Sequence, residues 1–100
     1  MSLTSKQRAF LRAQAHRLKP VVHIGSAGVT EAAVASLLDA FNTREVLKVR
    51  VQEGAPDSAY DTGDQLAAAV PGTQVAQTIG RVVVLYRRHP DDPELKLPGG

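Results

Sequence analysis

At Glu45 the spacing of apolar residues changes, and the fold follows from what stands on either side. Before it, Val34, Leu37, Leu38 and Phe41 recur at i, i+3, i+4 and i+7, the stripe of an amphipathic helix. After it, Leu47, Val49 and Val51 point one way while Lys48, Arg50 and Gln52 point the other. That period of two predicts a strand with one face on a core and one face basic. A chain that trades the two periods back and forth is an α/β domain, because each helix must lay its stripe against a sheet.

The remaining elements follow from caps and breakers. Thr4 and Gln7 have the spacing of a capping box, so the first helix begins there. Leu3, Phe10, Leu11 and Leu18 share its apolar side, while Arg8, Arg12 and His16 form one exposed row at i, i+4 and i+8. Lys19-Pro20 ends it, since a proline disfavours helical conformation in the residue before it. Val21-Val22-His23-Ile24 reads as a short buried strand, Gly25-Ser26-Ala27-Gly28 as a tight loop, and Thr30 as the cap of the second helix. Asp57 or Ser58 caps a third helix running to about Val70, which Gly63 weakens by roughly 1 kcal/mol relative to alanine. Gln74 to Ile79 and Arg81 to Tyr86 form a hairpin around Gly80-Arg81. The density of Val82-Val83-Val84-Leu85 places the last strand inside the sheet, covered on both faces. The expected architecture is a two-layer α/β sandwich in the order α-β-α-β-α-β-β, with a mixed four-stranded sheet. Residues 1–88 form the domain. Residues 89–100, with three prolines and two terminal glycines, form a flexible tail without a core of its own.

At 100 residues, 43% hydrophobic and 22% charged, the chain suits one globular unit. With no cysteine it has no disulfide, thiolate metal site or cysteine nucleophile. No apolar run approaches the roughly 20 residues of a membrane span, and the N-terminus lacks the apolar segment of a secretory signal. The chain reads as soluble, cytoplasmic and monomeric.

Charge is segregated along the sequence. Residues 1–30 carry Lys6, Arg8, Arg12, Arg17 and Lys19 with no acidic side chain below Glu31. Residues 53–66 carry Glu53, Asp57, Asp61 and Asp64 with no basic one, and Arg81, Arg87 and Arg88 follow. Such blocks give different faces opposite potentials and suit an anionic partner on one side, with the acidic segment turned away from it.

The strongest local signal is Gly25-Ser26-Ala27-Gly28 between a strand and a helix start. Glycines admit close approach of a ligand to the backbone, and a helix N-terminus offers unpaired amides to phosphate. KH domains clamp a nucleic-acid backbone with a Gly-x-x-Gly loop of this kind. Neither the Gly-Lys-Ser/Thr ending nor the Gly-x-Gly-x-x-Gly pattern of nucleotide-binding loops is present. His23, inside an apolar strand, reads as a packed side chain with one hydrogen bond, and His16 as a favourable cation at a helix end. No pair of histidines has metal-motif spacing, and Ser26 lacks a nucleophile motif, so no catalytic constellation, metal or cofactor is expected. Aromatics make up 4% of the chain, too few for a base-reading platform of the RRM type. The competing readings are a protein-interaction module whose basic row only solubilises, and a small metal-dependent enzyme using His16 or His23.

Leu18-Lys19-Pro20-Val21-Val22 followed by Ile24-Gly25-Ser26-Ala27-Gly28-Val29-Thr30-Glu31 resembles the signature of the YhbY-type CRM domain (chloroplast RNA splicing and ribosome maturation). Leu47-Lys48-Val49, Ile79-Gly80-Arg81, Val84-Leu85-Tyr86-Arg87 and the N-terminal Leu3-Thr4-Ser5-Lys6-Gln7-Arg8 are similar to it as well. The resemblance implies a stand-alone bacterial member that associates with RNA of the large-ribosomal-subunit precursor and assists ribosome assembly. Plant relatives assist group II intron splicing. It also implies a fold similar to the C-terminal domain of translation initiation factor 3. By position, Gly25 and Gly28 are the loop glycines, Lys6, Arg8, Arg12 and Lys19 are basic positions of the first helix and its exit, and Lys48 and Arg87 are basic strand positions. With Ser26 and Ala27 between the glycines and Arg50 on the basic strand face, these make up the expected RNA-binding set. The chain departs from the family in its acidic segment 53–64 and in its acidic tail.

Overall fold

The computed structural model describes residues 2–99. Its elements are α1 (Ser5–Ala15), β1 (Val22–Ile24), α2 (Glu31–Phe41), β2 (Val46–Val51), α3 (Ala59–Ala69), β3 (Thr73–Ile79) and β4 (Val82–Arg87). Order and element types are those expected.

The caps hold as read from the sequence. The Gln7 amide donates to Thr4 Oγ1 at 3.1 Å and the Thr4 amide to Gln7 Oε1 at 3.0 Å, closing the capping box. Thr30 Oγ1 accepts from the Ala33 amide at the start of α2. Of the two candidates for α3, Ser58 is the cap, accepting from the Asp61 amide at 3.1 Å. Two details differ. α1 ends at Ala15, with His16 as its cap, well before Lys19-Pro20. Leu38 is 43% exposed, so the core stripe of α2 narrows to Leu37 and Phe41 with Val34 partly buried.

The sheet order is β1-β2-β4-β3. β1 and β2 are parallel, as a strand–helix–strand crossover gives. β4 is antiparallel to both β2 and β3, so the last strand inserts between its neighbours and is flanked on both sides. The hairpin joins Ile79 to Val82 through Gly80-Arg81. Gly80 has φ +58 and, among the described residues, no non-glycine residue has positive φ, so the two-residue turn takes its reversed conformation at the first central position.

Alternate side chains of the sheet feed two separate cores. Leu47, Val49, Val51, Val83 and Leu85 pack with Leu37 and Phe41 of α2 and Leu66 of α3. Val46, Val84 and Tyr86 pack the other way, with Leu3, Leu11 and Ala15 of the α1 region. The layering is therefore fuller than a plain two-layer sandwich: α2 and α3 cover one face of the sheet, and α1 covers part of the other. Gly63, which the sequence presents only as a weak point of α3, has a packing role. A Cβ there would stand 3.0 Å from Val83 Cγ1, so glycine lets the helix sit close on the sheet.

The segment expected as a flexible tail is tied down over Glu45. Glu45 is 5% exposed, and its carboxylate accepts the amides of His89 at 2.8 Å, Glu94 at 2.6 Å and Leu95 at 2.7 Å. Leu95 and Leu97 pack against the α1-side core, and Gln7 Nε2 donates to the Pro98 carbonyl. The segment has no core of its own; it borrows one.

Candidate nucleic-acid interface

Gly25 to Gly28 close a tight turn, with the Gly28 amide donating to the Gly25 carbonyl at 2.9 Å. The two glycines are not equivalent. Gly28 has φ +69, and a Cβ on it would meet Pro56 Cγ at 3.0 Å, so the fold itself requires glycine there. Gly25 is not in the left-handed region, and a Cβ would meet only the end of the exposed Gln52 side chain, at 3.2 Å. The fold tolerates a side chain at Gly25. Ser26 and Ala27 are exposed between them. Together with His23, Ala33 and Ser36 this turn lines a groove of about 470 Å³ beside the edge strand β1 and the start of α2. Glu31 in the first turn of α2 partly offsets the positive end of the helix.

The basic residues expected at the site stand in different surroundings. Arg12 is exposed and lines, with Ser5, Arg8, His16 and Gln77, a groove of about 520 Å³ along α1. Lys48 and Arg50 project from the same sheet face as α1, and Lys48 Nζ donates to the His16 carbonyl at 3.4 Å. Lys6 and Lys19 are exposed. Arg8 is already engaged: its guanidinium donates to the Leu3 carbonyl at 2.9 Å and to Ser5 Oγ at 3.2 Å, tying down the start of α1. Arg87 does not join the set. It alternates with Tyr86 onto the α2/α3 side, pairs with Thr73 at the end of the sheet remote from the hairpin, and donates to the Pro71 carbonyl at 3.0 Å.

One further expectation is corrected. His23 is exposed rather than packed, because only Val22 and Ile24 turn into the core, and α1 lays its main contacts on β2, β3 and β4. It stands beside Arg50 in the parallel register. Pro56, next to Asp57, packs on Gly28, so the acidic segment passes beside the loop. Among the described residues, no group of three or more histidines or carboxylates is placed to hold a metal ion, and no helix is long and apolar enough to cross a membrane.

The model of the CRS1/YhbY (CRM) domain matches residues 3–87. The chain is 36% identical to "Probable RNA-binding protein YqeI" of Bacillus subtilis, over 96% of this chain and 99% of the relative. It is 35% identical to an RNA-binding protein of Haemophilus influenzae, over 97% of this chain and 96% of the relative. The solution structure of SAV1595 from Staphylococcus aureus, a hypothetical protein described as an RNA-binding candidate, superposes with a TM-score of 0.80. It is 32% identical, covering 96% of this chain and 99% of that one.

Proposed function

The chain belongs to the CRS1/YhbY (CRM) domain family, and on that premise we propose that it binds RNA of the large-ribosomal-subunit precursor and assists its assembly in the cytoplasm. It acts as a monomeric binding protein without catalysis of its own. The observation that carries this reading is Gly25. The conformation of the turn does not demand glycine there, yet the position borders a groove at a helix N-terminus, where a bare backbone lets phosphate approach the amides.

In this reading the RNA backbone runs from Gly25, Ser26, Ala27 and Gly28 past Arg50 and Lys48 to Arg12, with Lys6 and Lys19 adding charge at the margins. Arg8 shapes the start of α1 and Arg87 lies outside the contact. Contacts of this type position RNA without reading its sequence, so affinity follows phosphate charge and falls steeply with salt. The test is sedimentation of the tagged protein with ribosomal particles, followed by crosslink mapping. Co-migration with large-subunit precursors and crosslinks from residues 25–28 and Arg12 are expected. A protein that stays at the top of the gradient and shows no salt-dependent binding to ribosomal RNA would overturn the reading.

A further inference from the structure

The uncovered end of the sheet carries a feature that phosphate binding does not use. On the α1 face, the last row before the hairpin reads His23, Arg50, Val82, Ile79 across the four strands. α1 has ended at Ala15 and leaves this row open: His23 and Arg50 are exposed, Val82 is half-buried, and Ile79 is 43% exposed. Ile79, Val82 and Val84 floor a groove of about 380 Å³ whose walls include Arg12, His16 and Lys48. An apolar floor inside a basic rim is not what a double helix needs. A duplex stacks its base faces internally and offers a protein its phosphates, sugars and base edges.

Resting on the RNA-binding reading, we infer that this groove receives an unstacked nucleobase, and that the preferred substrate is therefore single-stranded RNA. The base lies on Ile79 and Val82, directly beside Arg50 in the β2–β4 pairing. The guanidinium plane of Arg50 stacks on a base or reaches the adjoining phosphate. Lys48, two residues before Arg50 on the same face of β2, and Arg12 on α1 hold the phosphates. The protein thereby favours unpaired segments without an aromatic platform. Every base has a flat apolar face and the floor carries no hydrogen-bonding side chain, so the preference is for strandedness, not sequence. The charge of the walls selects this occupant over an apolar polypeptide.

The experiment titrates the full chain with three fluorescent RNA probes: a single-stranded oligonucleotide, the same strand in a duplex, and the single strand with abasic sites. Ile79→Ser and Val82→Ser each alter a partly exposed side chain near the hairpin, and a thermal melt checks that each variant folds. The native chain is expected to bind the single strand about tenfold more tightly than the duplex or the abasic strand. Ile79→Ser is expected to lose most of that preference while duplex affinity stays the same. Equal affinity of the native chain for all three probes, or a variant that retains the preference, overturns the inference and leaves the phosphate-based reading standing. The second result would free the groove for a protein partner. A native chain that dimerises on sedimentation while Ile79→Ser remains monomeric would assign the groove to a second copy and also overturn it. Failure to bind any probe would remove the RNA reading itself, and this inference with it.

Discussion

The Glu45 carboxylate accepts the Leu95 amide at 2.7 Å across fifty residues of chain. With the His89 and Glu94 amides on the same group, one buried side chain fixes the course of the whole C-terminal segment. Burial by itself pushes this carboxyl up. The amides of Leu95, His89 and Glu94, with the charge of His89, outweigh burial and hold it below its usual value of 4.5.

The first prediction follows from that depressed value. A carboxylate whose folded pKa is lowered contributes stability that is present above the unfolded pKa, near 4.5, and is lost as pH falls through the folded one. Urea midpoints of the native chain should therefore fall as pH drops below about 4.5, and those of Glu45→Gln should fall less over the same interval. At pH 7, Glu45→Ala should cost about 1–3 kcal/mol, since it leaves buried amides without an acceptor. It should also raise amide exchange at Glu94 and Leu95. Unchanged exchange there would show that Leu95 and Leu97 dock the segment without Glu45.

The second prediction concerns the electrostatics of binding. Arg12 and Arg50 are exposed, and neither side chain makes a hydrogen bond among the described residues, whereas Arg8 ties down the start of α1. Arg12→Glu with Arg50→Glu should weaken RNA binding across unrelated sequences and flatten the salt dependence by about two units of slope, leaving the melting temperature unchanged. Arg8→Glu, by contrast, should cost stability on the order of 1 kcal/mol through lost hydrogen bonds. Isotherms at several salt concentrations beside thermal melts separate the two. A salt slope unchanged in the double variant would take α1 and β2 off the binding face.

Legibility divides by range along the chain. The capping box of Thr4 and Gln7, the cap at Thr30, the alternation of β2 and the Gly80-Arg81 turn each depend on residues within four positions of one another, and all were readable. Glu45 was not, because its partners lie more than forty residues away and no local pattern marks a carboxylate for burial. His23 misled for a related reason. Whether the second face of β1 is covered depends on which strands α1 crosses, and that helix packs mainly on β2, β3 and β4 and ends at Ala15. In the candidate site, Gly25, Gly28, Arg12, Lys48 and Arg50 are visible in the sequence as residue types. That Arg87 turns to the other sheet face, and that Gly28 serves the turn, required the β4 register and the Pro56 contact.

The third prediction arises from the same Pro56 contact. Because Pro56 packs on Gly28, Glu53 and Asp57 lie close in sequence to the loop contact, with the Asp57 carboxylate accepting from Gln65 Nε2 at 3.0 Å, while Asp61 and Asp64 extend along α3. A phosphate held at the loop would be repelled more by the first pair than by the second. Glu53→Gln with Asp57→Asn should tighten RNA binding roughly two- to fivefold at low salt, an effect that fades as salt screens the charges. Asp61→Asn with Asp64→Asn should change affinity much less. Equal gains from both pairs would mean that the effect is one of net charge and not of position.

The fourth prediction separates the roles of the two loop glycines. Alanine at position 28 must adopt φ near +69 and place its Cβ 3.0 Å from Pro56 Cγ. Gly28→Ala should therefore destabilise the protein by at least about 1–2 kcal/mol, the cost of a left-handed conformation for a residue with a side chain. Alanine at position 25 meets only the mobile end of Gln52 and needs no such conformation. Gly25→Ala should leave stability unchanged or raise it by up to about 1 kcal/mol, since it restricts the unfolded chain. If phosphate approaches the backbone at this turn, the added methyl group obstructs it, and Gly25→Ala should weaken RNA binding several-fold in a protein that melts no lower than the native one. Ser26→Asp with Ala27→Asp gives the matching electrostatic test, because both residues are exposed and both glycines are kept. That pair should abolish most binding with little change in melting temperature. Full RNA affinity in Gly25→Ala and in the doubly acidic variant would mean that the loop only reverses the chain between β1 and α2, and that the anion is held elsewhere.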